Sequence, residues 1–169
     1  MRDDRGQGRG GFQNRGQRDR GQRAPEKTLA QMWPGYLTAG YFDADRHLKP
    51  ELVSRLLVEP LVSEMGRSWP PLVNHQLRRF FQHCRAIEAR LKAKTSTWSA
   101  EEAGFRKIDA AAADAFGKSH RKIPQLFHDF IQRNVAAVKT ETDFLEGFLP
   151  HFEALVGFGA QHLREKDRS

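Results

Sequence analysis

Cysteine is nearly absent from the sequence, in which Cys84 is the single example among 169 residues. One cysteine excludes an internal disulfide bond and fits a reducing compartment. Long apolar runs are absent as well, because none reaches the roughly 18 residues that mark a membrane-spanning helix, and no secretory signal is visible. We therefore expect a soluble protein of the cytoplasm that has no membrane partner.

Motifs of common enzyme sites are also missing: there is no Walker loop, no Gly-x-Gly-x-x-Gly and no Gly-x-Ser-x-Gly. One alternative stays open. His128-Asp129 is the dipeptide of HD-type phosphohydrolases, which could recruit His120 and Asp143 as further metal ligands. Nothing in the spacing of these residues demands it. The sequence otherwise predicts a protein that is not an enzyme and has no metal or cofactor.

Positive charge is concentrated at the N-terminus. Residues 1–24 hold seven arginines against three aspartates, a net charge of +4, which leaves +3 of the total of +7 for the remainder. Because this segment is built almost wholly from Arg, Gly, Gln, Asp and Asn, we predict a disordered Arg/Gly-rich tail. Its Arg-Gly pairs resemble the tails of RNA-binding proteins, in which guanidinium groups meet phosphates or stack on bases. A merely solubilising extension is the alternative.

The remainder of the chain predicts a single all-α bundle of about five helices. Residues 25–49 mix aromatics with Gly and Pro, and they predict an extended arm that packs its aromatics on the domain. From residue 50 to 163 the apolar residues recur at helical spacing, and no alternating strand pattern or hairpin signal interrupts them. Residues 164–169 are a polar C-terminal fray. Short connections favour antiparallel neighbouring helices.

Capping residues and prolines set the predicted starts of the first three helices. The first begins at Pro50 and is kinked or split at Pro60. Asn74 caps the second helix. Ser99, with Glu102 three residues on, forms a capping box that opens the third helix.

Two further helices follow. The segment 120–139 predicts a fourth helix with Pro124 in its first turn. A fifth helix follows residues 140–143, is bent at Pro150, and is apolar around most of its circumference. A helix of that composition is expected at the centre of a bundle.

The second helix, residues 74–92, has the most regular amphipathic pattern of the chain. Six apolar residues at helical spacing are predicted to be core: Leu77, Phe80, Phe81, Cys84, Ile87 and Leu91. On this face Cys84 is expected to be a small, inert core residue. A row of cations runs beside the face.

Basic residues are the best candidates for a binding site, through contacts to RNA phosphates. The candidates are Arg78, Arg79, Arg85 and Lys92 on the second helix, Arg106 and Lys107 on the third, and Lys118, Arg121 and Lys122 at the third-to-fourth junction. Cations near a helix N-terminus cost about 0.3–1 kcal/mol each, so Arg121 and Lys122 indicate an anion site there. For the second helix a solvated edge neutralised in part by Glu88 is the alternative.

Two segments resemble a known family. QLRRFFQHCRAI (76–87) is similar to the Gln-Leu-Arg-Lys-Phe-Tyr segment in the second helix of the Csm small subunit, a component of the type III-A CRISPR effector ribonucleoprotein. FLEGFLPHFEALVGF (144–158) is similar to the C-terminal signature of that family, with spaced Phe residues followed by Phe-Glu-Ala. The resemblance covers about residues 50–163, and the Arg-Gly tail is not part of it.

The resemblance implies a non-catalytic five-helix RNA-binding protein. Its copies would stack head to tail along the complex, beside the backbone and large subunits, and contact target-RNA phosphates without sequence specificity. Contact with the guide RNA stays open. Arg78 matches the arginine of the family, Arg79 stands where Lys is common, and Glu153 is expected to be a structural carboxylate paired with an Arg of the second helix. The alternative is a helical protein-interaction adaptor whose Arg-Gly tail alone binds RNA.

Overall fold

The computed structural model describes residues 25–165, and this part of the chain is an all-α bundle without strands, as the periodicity predicts. The predicted tail over 1–24 and the last four residues lie outside the described range. In chain order the elements are α1 (Leu29–Met32), a 3-10 helix (Pro50–Val53), α2 (Arg55–Arg67), α3 (Asn74–Lys92), α4 (Trp98–Gly117), α5 (Gln125–Ala137), a π-helical segment (Asp143–Phe148) and α6 (Leu149–His162).

The C-terminal helix α6 lies at the centre of the bundle, as its composition predicts. It packs against α2, α3 and the 3-10 helix, while α4 packs against α3 and α5. Phe144, Phe148 and Phe152 are fully buried, and neighbouring rings along this row have centroids 6.0 and 5.4 Å apart. Phe105 of α4 and Phe130 of α5 reach the same row at 5.1 to 5.6 Å. This aromatic cluster joins the π-helical segment and α6 to α4 and α5.

The predicted core face of α3 is confirmed. Leu77, Cys84, Ile87 and Leu91 are buried, and the two phenylalanines are half-buried against the core. Burial raises the pKa of the Cys84 thiol to about 12, because a thiolate would lose its solvation there. The thiol is therefore protonated at neutral pH and serves as a small apolar side chain.

Residues 25–49 form an arm that contains the short helix α1 and carries three buried aromatic residues into the core. Trp33, Tyr36 and Tyr41 are each less than a tenth exposed. A turn lies at Asp43–Asp45, where Asp43 Oδ1 accepts hydrogen bonds from the backbone N–H groups of Asp45 and His47, each 2.9 Å long. The arm is thus fixed by aromatic packing at its middle and by a local turn at its end.

The predicted split of the first helix falls at Ser54 instead of Pro60. A 3-10 helix ends at Val53, Ser54 has extended backbone angles, and α2 then continues through Pro60. Proline removes one hydrogen bond, to the carbonyl of Leu56. Leu56 is 81% exposed and Pro60 is exposed, so water can satisfy that carbonyl and the helix survives.

Two predicted helix caps are wrong. α3 begins at Asn74 itself, and the side chain of Gln76 accepts the N–H of the preceding Val73 at 3.1 Å. α4 begins at Trp98 with Thr97 as its cap residue, so Ser99 and Glu102 lie inside the helix. Both side chains of the predicted caps have other partners: Asn74 donates to Glu165 at 2.6 Å, and Glu102 accepts from Arg106 at 2.7 Å. Tertiary and i,i+4 contacts outweighed the local capping signals.

The last two helices also differ from the prediction. α5 starts at Gln125 with Pro124 as its cap, so residues 118–124 form a loop rather than the first turns of a helix. The final helix begins with the π-helical segment and changes to α-helical geometry directly before Pro150. Proline cannot donate the usual backbone hydrogen bond, and a wider π turn is a common way to accommodate such a loss.

Gly147, in the π-helical segment, permits the close approach of Tyr41. A Cβ atom at residue 147 would lie 2.6 Å from Tyr41 Cγ, whereas a Cβ at Gly157 would meet nothing within 4 Å. Gly147→Ala is therefore expected to lower the free energy of unfolding by about 1–3 kcal/mol through overpacking. Gly157→Ala, the matched control, is expected to raise it by about 0.5–1 kcal/mol. Urea denaturation measures both, and a Gly147→Ala protein as stable as the native chain would contradict the packing described here.

Candidate nucleic-acid interface

A cleft of about 710 Å³ lies between α3, α4 and the loop 118–124, and we call it the α3–α4 cleft. Its lining combines basic, imidazole and apolar side chains with one amide and one carboxylate. The lining residues are His75, Gln76, Arg79, Phe80, His83, Lys107, Ile108, Ala111, Asp114, Ala115, Lys118, Lys122 and Ile123.

Polar contacts at both ends and in the middle hold the walls of the cleft together. At one end Arg90 of α3 donates two hydrogen bonds, 2.7 and 2.8 Å long, to the carboxylate of Glu101 on α4. This bidentate contact lowers the pKa of Glu101 to about 2, because it stabilises the charged carboxylate. In the middle the His83 ring contacts the carbonyl of Gly104 through Nε2 at 2.9 Å.

At the other end the amide of Gln76 donates to the carbonyl of Lys122 at 2.7 Å. The N–H of Lys122 donates to the carbonyl of Ala115 at 2.8 Å. The backbone of Lys122 is therefore tied to both α3 and α4, while its side chain lines the cleft. These contacts follow an antiparallel order along α3 and α4, as the short connection between them predicts.

Four of the nine predicted phosphate-binding residues line this cleft: Arg79, Lys107, Lys118 and Lys122. Lys118 pairs with Asp114 at 2.8 Å, but both side chains are more than half exposed, and such a pair is weak in water. The other three have no ion-pair partner within residues 25–165. The four cations and the single carboxylate, counted without the histidines, give the lining a formal charge of +3.

Two predicted cations of α3 neutralise a carboxylate instead. Arg85 and Lys92 contact the two oxygens of Glu88 at 2.5 and 2.6 Å, and the Glu88 side chain is only 8% exposed. A carboxylate so little exposed needs charged partners. These ion pairs agree with the alternative of an edge neutralised in part by Glu88, and phosphate contact by the two residues stays a prediction.

Arg78 and Arg106 are likewise held by neighbours. Arg106 pairs with Glu102 at 2.7 Å and donates to the carbonyls of Val135 and Val138, at 3.3 and 3.5 Å, where α5 ends. Arg78 is exposed, and its Nε donates to Asn74 Oδ1 at 3.1 Å. Arg106 therefore fastens the end of α5 to α4, and Arg78 reinforces the start of its own helix.

Arg121 lies in the loop before α5 and stacks on an aromatic ring. Its guanidinium carbon is 4.4 Å from the centre of the Phe116 ring, and the ring of His128 stacks on Phe116 at 4.7 Å. Because residues 118–124 are not helical, Arg121 and Lys122 precede the Pro124 cap of α5 and do not belong to its first turn, and the anion site predicted there stays a prediction.

Among residues 25–165 the side chains of the open metal alternative, His128, Asp129, His120 and Asp143, do not form a close group of potential ligands. His128 contacts the carboxylate of Asp129, its sequence neighbour, at 3.1 Å, and Asp143 accepts two backbone N–H groups at 2.9 and 3.0 Å. Within residues 25–165 the one close group of three potential ligands is Asp43, Asp45 and His47, all exposed. It coincides with the Asp43 turn, whose backbone hydrogen bonds account for its geometry.

Several lining residues were missed by the sequence analysis, namely His75, Gln76, Phe80, His83 and Asp114. The helical spacing of these residues could have identified them as members of one face. The α3 positions 75, 76, 79, 80 and 83 share one helical face, as do the α4 positions 107, 108, 111, 114 and 115, and Lys118 directly follows the end of α4. The expected ion pair of Glu153 with an Arg of α3 is wrong, because that carboxylate is exposed on α6 and has no such partner.

Fold and cleft define an all-α protein with a cleft between two helices of one bundle that is lined by four cationic side chains. Residues 59–163, more than half of the chain, match the family model described as Csm2 Type III-A, and the chain belongs to this family. It is accordingly a structural subunit of a type III-A CRISPR complex. The match spans both segments on which the resemblance was recognised and confirms it. Comparison with curated proteins and with solved structures gives no match.

Within residues 25–165 no helix combines the length and the apolar character that crossing a bilayer requires.

Proposed function

We propose that this chain is a non-catalytic subunit that contacts the phosphates of target RNA through the α3–α4 cleft, without reading the RNA sequence. The observation that carries the proposal is the convergence of Arg79, Lys107, Lys118 and Lys122 on one cleft. Three of these side chains have no competing carboxylate in the described part of the chain, so their charge is available to phosphates. Contacts to phosphates position a protein on nucleic acid without carrying sequence information.

Within the complex, copies of the chain stack head to tail in the cytoplasm and face the backbone and large subunits. Membership of the Csm2 family supports this arrangement. A stack of copies would place several clefts along one RNA strand. The effective concentration of each cleft would then be high, and the array would bind more tightly than one copy.

The salt dependence of RNA binding tests the proposal. Each phosphate contact to a single strand contributes about −0.7 to the slope of log K against log salt. Four contacts predict a slope near −3 (about 4 × −0.7) for single-stranded RNA, with similar values for oligonucleotides of unrelated sequence. Fluorescence anisotropy at four or more salt concentrations measures the slope. A slope near zero, or strong preference for one sequence, would contradict the proposal.

Deletion of residues 1–24 separates this function from the adaptor alternative. The seven arginines of that segment are a second source of positive charge that RNA could contact. If the cleft carries phosphate contacts, the shortened chain keeps a negative slope that depends on the cleft cations. Complete loss of RNA binding on this deletion would favour the adaptor.

A further inference from the structure

The floor of the α3–α4 cleft is apolar, which phosphate binding alone does not require. Phe80, Ile108 and Ile123 contribute large side chains, and Ala111 and Ala115 contribute small ones. Ile108 and Ile123 are buried, whereas Phe80 is half-buried and Ala111 is exposed. The small alanines therefore leave open space above an apolar surface that is bordered by cations.

Phe80 is the one phenylalanine of this lining, which has no Tyr or Trp, and the packing of its ring is fixed. The Phe127 ring meets it in an edge-to-face arrangement, with centroids 5.3 Å apart and an angle of 82° between the planes. The ring thus has a firm support on the core side. Such a supported ring beside a row of cations is the combination by which proteins hold an unpaired nucleotide, with the base on the ring and the phosphates on the cations.

We propose that the α3–α4 cleft takes one unstacked base of the RNA against Phe80, with the flanking phosphates on Arg79, Lys107 and Lys122. This inference rests on the proposed function, since it assigns the ligand of the same cleft more closely. The two polar neighbours of the ring on α3 are already engaged within the fold: Gln76 donates its amide to the carbonyl of Lys122, and the His83 ring contacts the carbonyl of Gly104. The site therefore accepts any of the four bases, because every base has an apolar face to stack.

The test compares two oligonucleotides of equal length and charge, one of ordinary RNA and one whose sugars lack bases. The full-length protein is expected to bind ordinary RNA about 5- to 100-fold more tightly. Phe80→Leu removes the ring, and Ala111→Leu fills the space above it. Each variant should therefore lose the preference that the cleft gives for ordinary RNA over the oligonucleotide without bases, and keep only the preference that comes from the rest of the protein. Residues 1–24 are unchanged in all of these proteins, so differences between them report on the cleft.

Matched controls come from neighbouring positions. Phe81 is also half-buried on α3 and packs on Phe152 at 5.3 Å, but it does not line the cleft. Ala113 is exposed on α4 and likewise lies outside the lining. Phe81→Leu and Ala113→Leu should leave the affinity ratio at the native value, and thermal unfolding shows whether each pair of variants is equally folded.

The outcomes separate this inference from the proposed function. Equal affinity of the native protein for the two oligonucleotides would overturn base insertion while leaving phosphate binding intact. Equal changes in Phe80→Leu and Phe81→Leu would also overturn it. Binding of neither oligonucleotide would overturn both proposals. Photo-crosslinking with 4-thiouridine gives an independent readout: crosslinks to α3 and α4 support the site, and crosslinks confined to residues 1–24 contradict it.

Discussion

Replacement of Arg79, Lys107 and Lys122 with alanine is expected to lower the affinity for single-stranded RNA about 100-fold at 0.1 M salt. Three phosphate contacts contribute about −2 to the slope of log K against log salt. Because 0.1 M lies one decade below 1 M salt, that part of the slope corresponds to about two orders of magnitude in the binding constant. These three cations line the α3–α4 cleft and have no carboxylate partner in residues 25–165. Fluorescence anisotropy across a salt series measures both the affinity and the slope.

A second triple variant, with Arg67, Arg133 and Lys139 replaced by alanine, removes the same charge from exposed positions outside the cleft. Long-range attraction depends on net charge and should weaken modestly in this control, while the salt slope should stay within about one contact of the native value. If the control loses as much affinity as the cleft variant, RNA senses only the overall charge, and the assignment of the cleft is wrong.

The free energy of unfolding is expected to fall by about 3 kcal/mol as the pH is lowered from 6.5 to 4. Its source is His151, which is fully buried on α6. Burial lowers the pKa of His151 to about 4 from an ordinary value of 6.5, because the interior disfavours the imidazolium. Between these pH values the unfolded chain binds a proton that the folded chain does not. The contribution of His151 to the free energy of unfolding is therefore fully present above about pH 6.5 and is lost as the pH falls to 4. Below pH 4 this group causes no further change.

The hydrogen bonds of His151 explain why the neutral ring is required. Its Nδ1–H donates to the carbonyl of Leu52, which can only accept, so Nε2 accepts from the hydroxyl of Tyr36 at 2.7 Å. The Tyr36 oxygen accepts from the side-chain Nδ2 of Asn134 at 2.7 Å, and the side-chain Oδ1 of Asn134 accepts from the Tyr41 hydroxyl at 2.9 Å. Protonation of Nε2 would remove the acceptor of the first hydroxyl in a buried chain.

Urea denaturation at a series of pH values measures the effect, and His151→Gln is the control. A glutamine can donate to the carbonyl of Leu52 and accept from Tyr36, and it does not titrate. The variant should have nearly constant stability between pH 6.5 and 4.5. Below that range the protonation of Glu101 lowers the free energy of unfolding in both proteins. The reason is that its pKa is about 2 in the folded chain, below the ordinary value of 4.5. The same slope in both proteins would contradict the assignment to His151.

Much of the fold follows from patterns that lie within one helix. Residues 74–92 form α3 with the predicted core face, because a 3.6-residue period requires only that one side of the helix meet the core. Helix starts were less predictable. Ser99 has the spacing of a cap, yet α4 begins at Trp98, whose ring stacks on Phe144 at 5.2 Å. That contact joins residues far apart in sequence, and local spacing contains no information about it.

The candidate site shows the same division. The sequence identified nine cations, and it already placed Glu88 close enough to Arg85 and Lys92 to neutralise them. It could not show that Lys107 of α4 and Lys122 of the next loop border the same cleft as Arg79. Nor could it show that Phe80 borders that cleft while Phe81 turns towards Phe152.

By itself the sequence determined the helical class, the inert buried cysteine, the family and the set of cations, because these depend on composition, short motifs and helical period. The tertiary structure alone decided which cations have no carboxylate partner within residues 25–165 and which residue caps each helix. It also decided that His151, Asn134 and two tyrosines share a buried chain of hydrogen bonds. Those outcomes depend on distances between helices. Such distances are set by the packing of the whole core, to which every helix contributes and which no single segment specifies.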